Sequence, residues 1–178
     1  MEQISNQMNQ LPLETRTQIV NLLVEGMSIR AVTRITGCSK NTVSKLLVDV
    51  GRACIKFHND TVKCVKSSRL ECDEIWSFVY SKEKNVPEGM EDKAGDVWTW
   101  TGIDADSKLV VGWLVGDRSV ECAHVFMKDL ASRLLNRVQL TTDGLKAYLS
   151  AVDTAFTGEV DYAQLIKIYG NESEYRKF

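Results

Sequence analysis

The stretch Ser28-Ile-Arg-Ala-Val-Thr-Arg-Ile-Thr-Gly-Cys-Ser-Lys-Asn-Thr-Val-Ser-Lys-Leu-Leu47 constrains the fold more than any other part of the chain. Ser28 and Ser39 are both suited to cap a helix N-terminus, because a serine hydroxyl can accept a hydrogen bond from an otherwise unpartnered amide of the first turn. Gly37 lies between them and suits a helix stop. Ile29, Val32 and Ile35 recur at helical spacing on the first segment, and Val43, Leu46 and Leu47 on the second. A glycine in the turn lets two short helices meet steeply, and Val43, six positions later, can plug the second onto the first. A preceding helix is predicted over about Leu13 to Glu25, with Ile19, Leu22 and Leu23 inward and Gly26 as its stop.

This arrangement resembles a DNA-binding helix-turn-helix, although Thr33 stands where such motifs often carry alanine, four residues before the glycine. The resemblance puts Ser39, Lys40, Asn41, Thr42, Ser44 and Lys45 at the exposed start of a recognition helix, within reach of base edges and phosphates. Arg30 and Arg34, on the helix before it, fall near phosphates. Charge agrees: Met1 to Leu70 holds 10 Lys+Arg against 5 Asp+Glu, whereas Glu71 to Phe178 holds 12 against 19. A basic front half suits a polyanion, and an acidic back half suits carboxylates gathered round metal ions or simply a solvated surface. The alternative for the front half is a three-helix bundle that binds a protein, or nothing.

The third helix is expected to continue to about Phe57, followed by a polar connection over 59–68. The back half then changes period. Arg69 to Tyr80 is rich in aromatic and β-branched residues and reads as a strand. After a loop from Ser81 to Gly95 come two strands, Val97 to Ile103 and Leu109 to Val115, joined by the turn Asp104-Ala-Asp-Ser-Lys108. Ser119 caps a helix to about Asn136 with Ala123, Phe126, Leu130 and Leu134 as its apolar stripe. A fourth strand over Val138 to Thr142, a helix over Leu145 to Val152 and a fifth strand over Asp161 to Tyr169 complete the pattern.

This β-β-β-α-β-α-β order is that of the ribonuclease-H-like fold. In that fold the first and fourth strands are neighbours, so Asp73 and Asp143 would face one point. Paired carboxylates suit Mg2+ or Mn2+, hard cations that serve phosphoryl transfer. Strand alternation puts Glu71 on the face of Asp73, where a solvent-facing strand end explains it better than a spare-ligand role, and Glu74 on the other. Asp104 and Asp106 are better explained by their turn, Asp143 can also be a turn residue before Gly144, and Trp98, Trp100 and Trp113 are expected in the core.

Taken together, Leu70-Glu-Cys-Asp-Glu-Ile-Trp76, Gly102-Ile-Asp-Ala-Asp-Ser-Lys108 and Thr141-Thr-Asp-Gly-Leu-Lys-Ala-Tyr148, behind the helix-turn-helix, resemble DDE-type bacterial transposases of the insertion sequence 1-like family. The likeness runs over nearly the whole chain. It implies an α+β protein: an all-α helix-turn-helix domain over 1–58, a linker over 59–68, and a ribonuclease-H-like core over 69–178. It implies binding to the inverted repeats at element ends and to target double-stranded DNA, metal-dependent strand cleavage and transfer, and a homo-oligomer in the active complex. Asp73 and Asp143 match the first two acids of the catalytic triad. The third is a glutamate on a helix after the fifth strand. Only nine residues follow Tyr169, too few for such a helix, with Glu172 and Glu174 the acids in that neighbourhood. A C-terminally truncated copy is therefore expected, with its activity alone in question. The competing functions are a helix-turn-helix regulator and a fragment that occupies element ends without cutting them.

Five cysteines at irregular spacing suggest a reducing, cytoplasmic compartment, as expected for a nucleoid-associated protein. Cys54, His58, Cys64 and Cys72 lack the ligand-pair spacing of a structural zinc site. No apolar run is long enough for a membrane helix, and Met1 to Gln10 has no apolar stretch of a secretory signal.

Overall fold

The computed structural model describes residues 11–166 and divides the chain into two compact units, Met1–Thr61 and Val62–Phe178. The first unit contains helices α1 (Leu13–Val24), α2 (Ile29–Thr36) and α3 (Lys40–Thr61). Ser28 Oγ accepts from the Ala31 amide at 3.2 Å, and Ser39 Oγ from the Thr42 amide at 3.1 Å, so both predicted caps form. Gly37 ends α2 at φ 71°, a left-handed conformation that costs a residue without a side chain little. Ile19, Val32 and Val43 form the centre of this unit, with Leu22, Leu23, Ile29, Cys38 and Leu46 packed around them. Ile35 and Leu47, expected inward, are instead 50% and 44% exposed. The three helices enclose only a small centre, which Ile19, Val32 and Val43 fill with Leu46 packed against them.

Helix α3 runs four residues past its expected end at Phe57. The residues after it belong to the second unit: Val62 and Val65 pack on its core, Val65 makes a parallel bridge to Leu134, and the Ser67 amide donates to Asn136 Oδ1 at 3.2 Å. Much of the polar connection expected over 59–68 is thus helix or packed chain.

The second unit is an α+β structure with a mixed five-stranded sheet of β1 (Arg69–Val79), β2 (Gly95–Asp104), β3 (Val110–Gly116), β4 (Val138–Asp143) and β5 (Val160–Leu165) in the order β3-β2-β1-β4-β5. The short hairpin turn after β2 makes β3 its antiparallel neighbour, and the longer connection after β1 returns β2 antiparallel on β1. The crossovers through α4 (Val120–Arg133) and α5 (Ala147–Phe156) make β4 parallel to both β1 and β5. Ser119 caps α4 by accepting from the Cys122 amide at 3.2 Å.

Both helices contribute to a single core. Leu70, Cys72, Trp100, Val111 and Leu140 from the sheet meet Phe126, Met127, Leu130, Tyr148 and Val152 from the helices. Gly102 permits the close approach of α4, since a β-carbon there would stand 2.9 Å from Leu130 Cδ1. Trp100 is fully buried, as expected, with its indole N–H donating to the Asp117 carbonyl at 2.9 Å. Trp113 departs from expectation: it pairs with Thr101 on the register of Asp73 and is 37% exposed. Alternation carries it away from the buried face.

Truncating Leu130 to alanine removes a fully buried side chain from between α4 and the glycines of β2 and β3. A loss of about 2–5 kcal/mol in urea unfolding of the whole chain is expected, whereas Val115→Ala, at an exposed position, should change it by less than about 0.5–1 kcal/mol.

Candidate functional site

The last paired residues of the parallel strands β1 and β4 are Cys72 and Thr142. Asp73 and Asp143 are the next residue on each strand. The carboxylates of Asp73, Glu74 and Asp143 each offer an oxygen within 4.8 Å of the others, and this cluster can hold a metal ion. Asp73 and Asp143 were expected together; Glu74 was not. Strand alternation correctly puts Glu74 on the register of Leu70 and Cys72, and it pairs with Trp100 on β2. However, β4 ends at Asp143 while β1 runs on to Val79. Side chains from both faces of β1 can therefore reach the space beyond the end of β4. Glu71 lies within the β1–β4 pairing, is exposed as its strand-end reading expects, and is not in the cluster.

Each acid is held differently. Asp73 Oδ1 accepts from the Glu74 amide at 2.8 Å, and its backbone carbonyl accepts from Thr101 Oγ1 at 3.1 Å. Asp143 Oδ1 accepts from the Leu145 amide at 2.9 Å, while Oδ2 accepts from Arg118 Nη2 at 3.1 Å. The turn role and the cluster role of Asp143 thus use different oxygens. Gln164 Nε2 on β5 donates to the Asp143 carbonyl at 3.1 Å and to the Leu145 carbonyl at 3.1 Å, fixing the turn from the other side. The Glu74 side chain is almost without solvent access, at 1%. Its Oε1 accepts from the Tyr148 hydroxyl, and its Oε2 from Arg118 Nε at 3.0 Å.

Burial is the main cause that pushes the Glu74 carboxyl above its ordinary range. The Asp143 charge reinforces the rise, and the bonds from Tyr148 and Arg118 oppose it. Burial also raises the Tyr148 hydroxyl, with the bond to Glu74 adding to the effect. Tyr148 therefore acts here as a hydrogen-bond donor rather than as a phenolate. Its ring lies edge-on to Trp100, 5.4 Å between centroids, so packing fixes the hydroxyl's position. In the sequence Tyr148 marks only the end of the stretch Thr141 to Tyr148, with no role attached, and Arg118 does not stand out. Tyr148 lies five residues after Asp143, and Arg118 just before the Ser119 cap, in positions that periodicity alone does not mark.

The other candidates lie elsewhere. Asp104 is a turn cap: its carboxylate accepts from the Ser107 amide at 2.7 Å, Ser107 Oγ at 2.5 Å and Ser67 Oγ at 2.5 Å. These bonds hold its pKa down to about 2. Asp106 pairs with Arg69 at 2.5 Å. Cys72 is a core residue whose thiol is pushed up by burial. Among the described residues no cluster of cysteine and histidine ligands forms. Glu172 and Glu174 lie outside the described residues.

In the first unit, Arg30, Arg34, Ser39, Lys40, Asn41 and Lys45 are exposed, and Thr42 and Ser44 are half-buried. Ser39 Oγ is occupied by the cap and by the Thr42 hydroxyl at 2.8 Å. That leaves Lys40, Asn41 and Lys45 as the more available donors of α3. Asn41, Thr42 and Lys45 also line a groove together with Arg16 and Asp49, a pairing of α1 with α3 that the sequence did not reveal. No protein-family model matches the chain, and no curated protein matches it.

The raised Glu74 pKa has a definite sign for stability. The folded state keeps the proton to higher pH than the unfolded chain, so the group's contribution is fully present below about 4.5, the unperturbed value. It is lost as pH rises through the folded pKa. In metal-free urea unfolding, the wild type should therefore lose stability relative to Glu74→Gln as pH is raised from about 4.5 towards neutrality. A difference independent of pH would contradict the assignment.

Proposed function

We propose that this chain is a DNA-cutting and DNA-joining protein of the DDE transposase type. In this reading it binds the ends of a mobile element through a helix-turn-helix and processes them at a ribonuclease-H-like carboxylate site. The observation that carries the reading is the meeting of Asp73, Glu74 and Asp143 at the ends of two neighbouring parallel strands. The strand order β3-β2-β1-β4-β5, with β1 to β3 antiparallel and β4 and β5 parallel to β1, supports the ribonuclease-H-like assignment. The capped helices around Gly37 support the helix-turn-helix.

The donor set fits Mg2+ or Mn2+: three carboxylates, with neither sulfur nor imidazole among them. Asp73 and Asp143 would hold the ion, with Glu74 beside them. Bound there, it would supply Lewis-acid activation of a water or 3′-hydroxyl and neutralise charge at phosphorus. The protein's own part is positional. The β1–β4 pairing fixes the spacing of the two aspartates, and Tyr148 fixes the orientation of Glu74. Lys40, Asn41 and Lys45 would supply base and phosphate contacts, with Arg30 and Arg34 on flanking phosphates and Ser39, Thr42 and Ser44 at the helix start. Duplex DNA of the element ends, target DNA and a second copy of the chain are the partners this reading requires.

The two halves of the reading separate experimentally. Lys40→Ala and Asn41→Ala should each weaken gel-shift binding to element-end DNA by about 1–3 kcal/mol if they reach bases. Asp73→Asn and Asp143→Asn should leave that binding unchanged and abolish Mg2+-dependent nicking. Wild-type binding without any nicking would favour a regulator or an inhibitory fragment. Binding unaffected by the α3 substitutions would remove that helix from the interface.

A further inference from the structure

Arg118 already occupies a cation's position in the acid cluster. Its Nε donates to Glu74 Oε2 at 3.0 Å and its Nη2 to Asp143 Oδ2 at 3.1 Å, while its guanidinium carbon lies 4.8 Å from the centre of the Trp98 ring. We propose that Arg118 is a resident counter-cation, which neutralises the Glu74 and Asp143 carboxylates while the site is metal-free and is displaced when a divalent cation enters. The inference rests on reading the cluster as a metal site.

Three carboxylates with oxygens within 4.8 Å repel one another strongly, the more so because Glu74 has so little access to water. A guanidinium on two of them relieves that repulsion with well-directed bonds. A divalent ion would neutralise the same charges, so the two cations compete.

The local structure suits an exchange by side-chain rotation alone. Arg118 lies between β3 and the Ser119 cap of α4. On one side of it the Asp117 carbonyl accepts from the Trp100 indole at 2.9 Å, and the Asp117 carboxylate accepts from the Ser119 amide at 3.1 Å. On the other, Ser119 Oγ accepts from the Cys122 amide at 3.2 Å. The backbone is therefore anchored while the side chain remains 38% exposed. The guanidinium lies over the face of Trp98 while it pairs with the acids, so one side of it is already held by the ring.

The sign of this effect separates it from a merely structural role. If Arg118 only held the cluster in shape, its loss would weaken metal binding. If it competes, its loss strengthens it. Exchange breaks two ion pairs of Arg118, one of them to the enclosed Glu74 carboxylate, so Arg118→Ala should bind Mn2+ on the order of tenfold more tightly than the wild type in calorimetric or electron paramagnetic titration of the full chain. Arg118→Lys, which keeps the charge and loses the two-pronged geometry, should fall between them. A second measurement needs no variant: on titrating diamagnetic Mg2+ into the wild type, the Arg118 Nε–H resonance should shift as its bond to Glu74 breaks. Equal or weaker Mn2+ binding by folded Arg118→Ala, or an Arg118 resonance unmoved at saturating Mg2+, overturns the proposal. Absence of Mn2+ binding in both the wild type and Arg118→Ala overturns the metal-site reading and this inference with it. Binding that is lost in Asp73→Asn but not improved in Arg118→Ala overturns the inference alone.

Discussion

Parallel pairing of β1 with β4 is the constraint on which the second unit depends. With Leu70 opposite Leu140 and Cys72 opposite Thr142, the residues that follow on each strand must be Asp73 and Asp143. A slip of one residue would move either aspartate to the other face and turn a core residue outward. The apolar side chains of the pairing resist that slip, since Leu70, Cys72 and Leu140 are all buried under α4 and α5. The hydrophobic core thus determines the position of the two aspartates.

Electrostatics then determines how the acids are kept. Glu74 points towards the buried side and is tied there by Tyr148, whose ring is packed on Trp100. Asp73 and Asp143 remain more open to solvent, each with one carboxylate oxygen engaged by a backbone amide. The cluster therefore has a fixed inner acid and two outer acids. Arg118 joins the inner acid to one of the outer ones. The same burial that raises the Glu74 pKa makes a nearby positive charge valuable to the folded state.

Period and punctuation carried much of this in the sequence. The caps at Ser28, Ser39 and Ser119, the stop at Gly37 and the hairpin turn at Asp104 act through bonds within a few residues, so their local sequence is enough to define them. Helix against strand was likewise readable from the spacing of Ala123, Phe126 and Leu130 against the dense aromatic and β-branched run of β1. Quantities set by distant packing were harder to see. Alternation gave Glu74 its correct face of β1 but not its place in the cluster, because β4 ends at Asp143 while β1 runs on, leaving β1 open on one edge. Trp113 reads as a core residue by composition, yet its register puts it on the exposed face. Arg118 and Tyr148 meet Glu74 from 44 and 74 residues away, and such pairings have no local pattern.

The account stands or falls on whether Asp73 and Asp143 share a divalent ion. A crystal of the whole chain grown with Mn2+, with data collected at the manganese absorption edge, tests this directly. The account predicts an anomalous peak within bonding distance, about 2–2.6 Å, of a carboxylate oxygen from each aspartate. An ion-free cluster at saturating Mn2+, or a peak bound only to acids elsewhere on the surface, would contradict it.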